Sequence, residues 1–480
     1  MVLEPQWRSA PASAVEQNGT AYELVTAPET GERRLSVRGD AAGFSGGEAA
    51  GDGSVRVPLT PANAAELRRR LSWLNPVPLG LRTSAGFGDR LGVATAGHIA
   101  AVQGTGVAPI FAQQSVRENT RTGRTPQQVL DDAMWSVFEC GWRDPWGADA
   151  DHLKTPADIA PFADAGYTFF TIDPGDHVDD AAEHDDLAAL RAKAAALDWD
   201  LLGSSLADAH MAYLRTFNLD GLSLSFDEHA LLKALAKYGK AVTHTLRMTR
   251  QLEVSMAGKP FEMEMSVDET GTTTSLHEHF FIATELTRLN VPFVSLAPRF
   301  VGRFEKGVDY IGDLGELDTN IAGHAAIMRH FGGRYKLSLH TGSDKFGVYP
   351  IAMRHTGGLV HLKTAGTSYL EALRVMSRVD PGLFRRVLDF ARDRYENDRK
   401  TYHVSAVLER VPASADLADS ALPGLLDQFD ARQVLHVTFG SVLDHFGAEL
   451  RQMLRDHAQA YADTVRAHFD RHLEAFKTHP

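Results

Sequence analysis

Between Gly80 and Gly366 the chain repeats one pattern: a short apolar run ends in polar or charged residues and is followed by a stretch with helical apolar spacing. The apolar runs are Gly80–Thr83, Pro109–Val116, Gly147–Leu153, Tyr167–Asp173, Phe261–Asp268, Phe293–Arg299, Tyr335–Thr341 and Leu359–Thr364. Eight strands alternating with helices is the number that closes a (β/α)8 barrel of the TIM type, in which chemistry sits at the C-terminal ends of the strands. Helices are expected at Asp89–Val102, Thr125–Phe138, Thr155–Ala165, Ser275–Leu289, Glu316–His330, Lys345–Arg354 and Ser368–Arg374. The fourth strand is followed by an insertion, 179–259, with helical patterns at Asp186–Ala195 and His229–Glu253.

The pattern divides the chain into three parts. Residues 1–79 carry β-like runs at Tyr22–Thr26, Arg34–Val37 and Ser54–Leu59, separated by the Gly/Ala-rich loop Gly39–Gly53, and read as a small β-rich extension. Residues 80–378 form the barrel. Residues 379–480 read as a helical extension, because apolar positions such as Leu383, Phe384, Val387 and Leu388 recur at helical spacing.

Alternation within the strands changes the picture of the barrel interior. In Phe261–Asp268 one face is Glu262, Glu264, Ser266 and Asp268, and the other is wholly apolar. A strand sends alternate side chains to opposite sides, so the polar set must point into the barrel. The same reasoning turns Lys336, Ser338 and His340 inward, and His361 with Lys363. Ionised groups inside a barrel are costly unless paired or bound to a metal. His152, His340 and His361, from strands three, seven and eight, are therefore expected to form a three-histidine site for one divalent ion: zinc, nickel or manganese.

Other motifs carry less. In His277-Glu278-His279 the two imidazoles stand two apart and diverge on a helix. Gly86-Phe87-Gly88-Asp89-Arg90-Leu91-Gly92 has its third glycine one residue late for a dinucleotide loop and is expected to be a turn. Arg117, Arg299 and Arg303 could clamp a substrate carboxylate, as could Lys363. Asp344 is a further candidate at the substrate pocket, set against its reading as a helix cap.

Composition narrows the class. The net charge of −13 and the absence of a Lys/Arg block argue against nucleic-acid binding. No run of about 18 apolar residues suggests a membrane span. The single cysteine, Cys140, allows no internal disulfide and no multi-cysteine zinc site. With no apolar signal core at the N-terminus, a cytoplasmic enzyme acting on a polar small molecule is the expectation, and a homo-oligomer stays open.

Several strings are specific. Ser266-Val267-Asp268-Glu269-Thr270, Ser295-Leu296-Ala297-Pro298-Arg299-Phe300, Gly342-Ser343-Asp344-Lys345-Phe346 and His361-Leu362-Lys363-Thr364-Ala365-Gly366-Thr367-Ser368-Tyr369 closely resemble the tagaturonate/fructuronate epimerase family. So do Ala150-Asp151-His152-Leu153-Lys154-Thr155 and Phe169-Phe170-Thr171-Ile172-Asp173-Pro174. The resemblance implies a metal-dependent isomerase that inverts C4 of a ketohexuronate, three histidine ligands, a proton acceptor at Asp151, and a proton donor at Glu264, with Glu262 and Asp268 as rivals. It also keeps a tagatose/fructose 4-epimerase open as the near alternative. A metal-dependent sugar aldolase or isomerase, which would release its products, and a non-catalytic sugar-binding protein are the readings from other classes.

Overall fold

The computed structural model describes residues 7–477. Eight parallel strands close into a barrel: β1 (Ser84–Gly88), β2 (Ala108–Ser115), β3 (Gly147–Leu153), β4 (Phe169–Ile172), β5 (Glu262–Ser266), β6 (Phe293–Ala297), β7 (Lys336–Leu339) and β8 (Val360–Lys363). Each pairs with the next in sequence, and β8 returns to β1. Among the described residues no helix is long and apolar enough to cross a membrane.

One strand departs from expectation. The first lies at Ser84–Gly88 rather than Gly80–Thr83, so the glycine motif expected as a turn opens in a strand at Gly86–Gly88 and bends only from Arg90 to Gly92. Packing explains its composition. A Cβ on Gly86 would run into the Gln113 side-chain amide, and one on Gly88 would lie 2.8 Å from the Ala365 backbone. The helix after β1 consequently starts at Thr95, not Asp89. The Asp89 carboxylate instead accepts from the backbone N–H groups of Leu91, Gly92 and Ala94 at 3.0, 2.8 and 2.7 Å and shapes the intervening loop.

Two further differences are local. The insertion after β4 contains a short hairpin, Thr216–Leu219 with Leu222–Ser225, beside its helices. The helix after β7 begins at Tyr349 rather than Lys345, because the Lys345 ammonium is drawn into the interior. There it donates to the carbonyls of Glu305 and Ser343 at 2.8 and 2.9 Å, fastening the loop after β7 to the loop after β6.

The N-terminal extension is a six-stranded antiparallel sheet followed by the helix Pro61–Arg70. Its Arg68 pairs with Asp131 on the barrel helix Pro126–Glu139 at 2.8 Å. The C-terminal extension contributes the helices Pro381–Asp398, Phe429–Val437, Phe439–Asp456 and Ala458–Leu473. The last is locked to the loop after β7 through Asp344. That carboxylate lies 2.8 Å from His468 Nε2 and 3.0 Å from Arg432, and the Asp344 backbone N–H donates to His472 Nε2 at 2.9 Å.

Burial would raise the Asp344 carboxyl, but Arg432, His468 and His472 outweigh it and hold it well below the usual carboxylate range. A depressed folded-state value means that the contribution is complete above the unfolded value near pH 4 and fades as acid protonates the folded carboxylate. Asp344→Asn should therefore cost about 3 kcal/mol at neutral pH, measured by urea unfolding, with the difference from wild type shrinking in strong acid.

Candidate active site

The barrel interior is layered. Its floor is apolar, built from Leu79, Ala108, Ile110 and Phe169. The Glu262 carboxylate closes it by accepting from the backbone N–H groups of Leu79, at 3.0 Å, and Gly80. Lys336 donates to Gly80 O and Ser84 Oγ, both at 2.9 Å, and burial pushes its pKa down to about 8. Above lies a layer in which Ser338, His361 and Ser84 stand side by side in register across β7, β8 and β1.

The next layer is organised by Lys363. Its ammonium, wholly buried, lies 2.9 Å from Asp149, 2.8 Å from Asp151 and 3.3 Å from Glu264, and donates to Thr171 Oγ1. Three carboxylates around one ammonium leave excess negative charge. Burial pushes Asp149 up against the pull of Lys363, with Asp151 and Glu264 adding to the rise. Burial acts the same way on Asp151 and Glu264. There Lys363 and the neighbouring imidazoles outweigh it, and both stay well below the usual carboxylate range.

Two imidazoles meet above this layer. His340 Nε2 and His152 Nε2 are 2.8 Å apart, and Asp151 Oδ1 lies 3.4 Å from His340 Nε2. Each ring is backed by a carboxylate on its other nitrogen: Asp173 at 3.0 Å from His152 Nδ1, and Glu264 at 3.2 Å from His340 Nδ1. In the neutral ring such backing places the proton on Nδ1 and leaves Nε2 free to bind a metal. Asp151 and His152 are consecutive, so a regular strand would send them to opposite sides. His152 has φ of 52°, in the left-handed region, and this twist at the end of β3 brings both into the site.

These donors suit a divalent cation. One ligand atom from each of Asp151, His152 and His340 lies within 4.8 Å of the others. The surrounding field also favours positive charge. Burial would lower the His152 imidazole, but Asp151, Glu269 and Asp173 push it up to about 9.

The expected site residues divide accordingly. Asp151, His152 and His340 come together. His361 lies outside this group: it sits lower in the barrel beside Ser338 and Ser84, its Nδ1 2.9 Å from Ser84 Oγ, and burial drives its pKa well below the usual imidazole value. Glu264 is fully buried and bonded to Ser295 Oγ at 2.6 Å, His340 and Lys363, so it stands behind the His340 imidazole. Lys363 is consumed by its three carboxylates. Asp344 belongs to the C-terminal lock and is fully buried there.

Arg299 lines a cavity of about 320 Å³ that reaches His340 and includes Asp268, Arg303 and Lys306. Arg117 lies across the mouth, 3.7 Å from Glu269, over the ring of Tyr402. Sequence reasoning passed over Lys306, Tyr402 and His436, and left Glu269, at the end of its strand, without a role. Lys306 and Glu269 sit on loops after β6 and β5. Tyr402 and His436 come from the C-terminal extension, where nothing in the local pattern indicates a return to the mouth.

The sequence pattern described as tagaturonate epimerase matches residues 17–476. The chain belongs to the tagaturonate epimerase family. A tagaturonate/fructuronate epimerase from Thermotoga maritima is 45% identical over 416 residues, covering 86% of this chain and 84% of that protein. The crystal structure of the fructuronate-tagaturonate epimerase UxaE from Cohnella laeviribosi, solved with one glycerol, superposes with a TM-score of 0.92 at 35% identity, covering 98% of this chain and 96% of that one. The native crystal structure of the same enzyme matches equally well. The barrel and both extensions thus belong to the family fold, and the chain is an epimerase, an isomerase by reaction class.

His152→Ala and His340→Ala should each abolish metal retention after gel filtration, measured by elemental analysis. Asp173→Asn should weaken metal affinity by about 10- to 100-fold. His361→Ala should keep wild-type stoichiometry, and metal loss in that variant would return His361 to the ligand set.

Proposed function

We propose that this epimerase interconverts D-tagaturonate and D-fructuronate by inverting C4, using a divalent ion held by His152 and His340 with Asp151 beside it as the base. The observation that carries the reading is the pair of carboxylate-backed imidazoles converging at 2.8 Å beside Asp151 at the barrel mouth. Zinc, nickel and manganese all accept this mixture of imidazole and carboxylate. The cationic side chains around the mouth, Arg117, Arg299, Arg303 and Lys306, favour a sugar acid over a neutral ketose.

C4 is not adjacent to the C2 ketone, so its hydrogen is not acidic, and enolisation would scramble C3 instead. The C4 hydroxyl is β to that ketone, which makes retro-aldol cleavage the accessible route. A base takes the C4 hydroxyl proton, C4–O becomes an aldehyde carbonyl, and the C3–C4 electron pair passes into an enediolate on C2 and C3. Rotation of the aldehyde and re-addition to its other face invert C4, and an acid returns the proton. A bound divalent ion supplies Lewis-acid stabilisation of negative charge on substrate oxygens.

Asp151 is placed to take the proton, because its carboxylate lines the deep cleft beside His152 and His340. Asp268 is suited to the complementary role. Its carboxylate accepts from Ser266 Oγ at 3.0 Å and Thr341 Oγ1 at 2.8 Å, and it faces the cavity beside His340. Glu264 acts through His340 by orienting it.

The test is an NMR assay of tagaturonate, fructuronate, tagatose and fructose with chelated enzyme reloaded with zinc, nickel or manganese. Activity should appear only on reloading, with the uronates preferred. Asp151→Asn and Asp268→Asn should each lose about 100-fold or more in kcat while retaining the fold. Net release of three-carbon fragments would favour an aldolase, and faster turnover of tagatose and fructose would favour the neutral-sugar enzyme.

A further inference from the structure

Three spaces at the barrel mouth share walls. The deep cleft against Asp151, His152 and His340 has a volume of only about 20 Å³, roughly the room of one water molecule. Outside it lie cavities of about 320 Å³ on the Lys306 side and about 340 Å³ on the Lys154 side, and Glu269 lines both. Lys306 and Arg117 each line the deep cleft and one outer cavity. Glu269 Oε1 lies 3.2 Å from Lys306 Nζ, 3.7 Å from Arg117 Nη2 and 4.0 Å from His152 Nε2. A six-carbon acid does not fit the deep cleft itself, although the outer cavities reach His340 on one side and His152 on the other.

The charges at this junction are suggestive. Of the cations expected to hold a carboxylate, Lys363 is committed to Asp149, Asp151 and Glu264 deep in the barrel. Lys306 and Arg117 are partly exposed, border the cleft, and are paired with nothing stronger than Glu269 and, for Lys306, the Thr341 hydroxyl at 3.2 Å. Glu269 thus offers these two cations the group that a uronate would offer them. While it does so, it cancels the attraction that an incoming acid would feel. It stands just after β5, outside the strand ladder.

We propose that Glu269 is an internal placeholder for the substrate carboxylate: Lys306 and Arg117 are the cations that grip the sugar acid, and Glu269 must leave them for the acid to enter. This rests on the sugar-acid reading above and names the residues that would enforce it.

The test uses metal-loaded, full-length enzyme, with D-gluconate as an unreactive six-carbon acid and D-sorbitol as its neutral counterpart, both titrated calorimetrically. Glu269→Gln should tighten gluconate by about 3- to 5-fold, the scale of one partly exposed ion pair, and lower the KM for tagaturonate, with metal content unchanged. Lys306→Met should weaken gluconate by about 10-fold or more and leave sorbitol within twofold, and Lys306→Arg should recover most of the loss. Thermal melts of each variant report the fold separately.

Loss of metal in Glu269→Gln would make Glu269 a metal ligand and overturn the proposal. Weaker gluconate binding in that variant, or equal losses for gluconate and sorbitol in Lys306→Met, would overturn it as well. If these binding results hold while wild type fails to convert tagaturonate, the carboxylate grip stands and the assigned reaction falls.

Discussion

A single buried ammonium, that of Lys363, holds the upper barrel together by balancing Asp149, Asp151 and Glu264, carboxylates from β3 and β5. Removing a buried charge from its partners costs several kcal/mol, so the three acids can share this interior only because the lysine reaches them all. The ammonium does not neutralise them completely. The charge left over lies directly beneath two imidazoles, which is where a cation would be attracted. The imbalance that the fold carries is thus also what would draw a cation to the site.

The imidazoles depend on that layer in turn. Glu264 is tied to Lys363 on one side and turns His340 on the other, so the outward imidazole nitrogen is presented by a group anchored in the charge network. On β3 the backbone contributes as well. The left-handed twist at His152 lets one dipeptide supply both the acid nearest Lys363 and an imidazole facing outward. A strand of regular alternation could supply only one of them.

The chain closes over this centre from a distance. Tyr402 and His436 reach the mouth from the C-terminal extension, and the Asp344–His468 pair fastens the last long helix to the loop after β7, the strand that leads into His340. Gly366, with φ of 89°, is required at this contact, since a Cβ there would lie 2.6 Å from both Arg90 and His436. The extension is thus part of the wall of the site.

Much was legible in the sequence because it is local. Period-two alternation turned Glu262, Glu264, Lys336, His340, His361 and Lys363 inward, and eight such units named the barrel. Asp151, His152 and His340 were recognisable as chemistry at strand ends. Alternation, however, gives a direction and not a height. Whether an inward group meets the mouth or lies a layer below depends on the stagger between strands, so His361 was indistinguishable from His340 until register placed it beside Ser84. Pairing is equally non-local: nothing near Lys363 or Asp344 reveals that their partners stand more than 100 residues away, on β3 for one and on the last helix for the other. Tertiary structure alone brought those charges together, because a buried ion is stable only where the fold supplies its counter-ion.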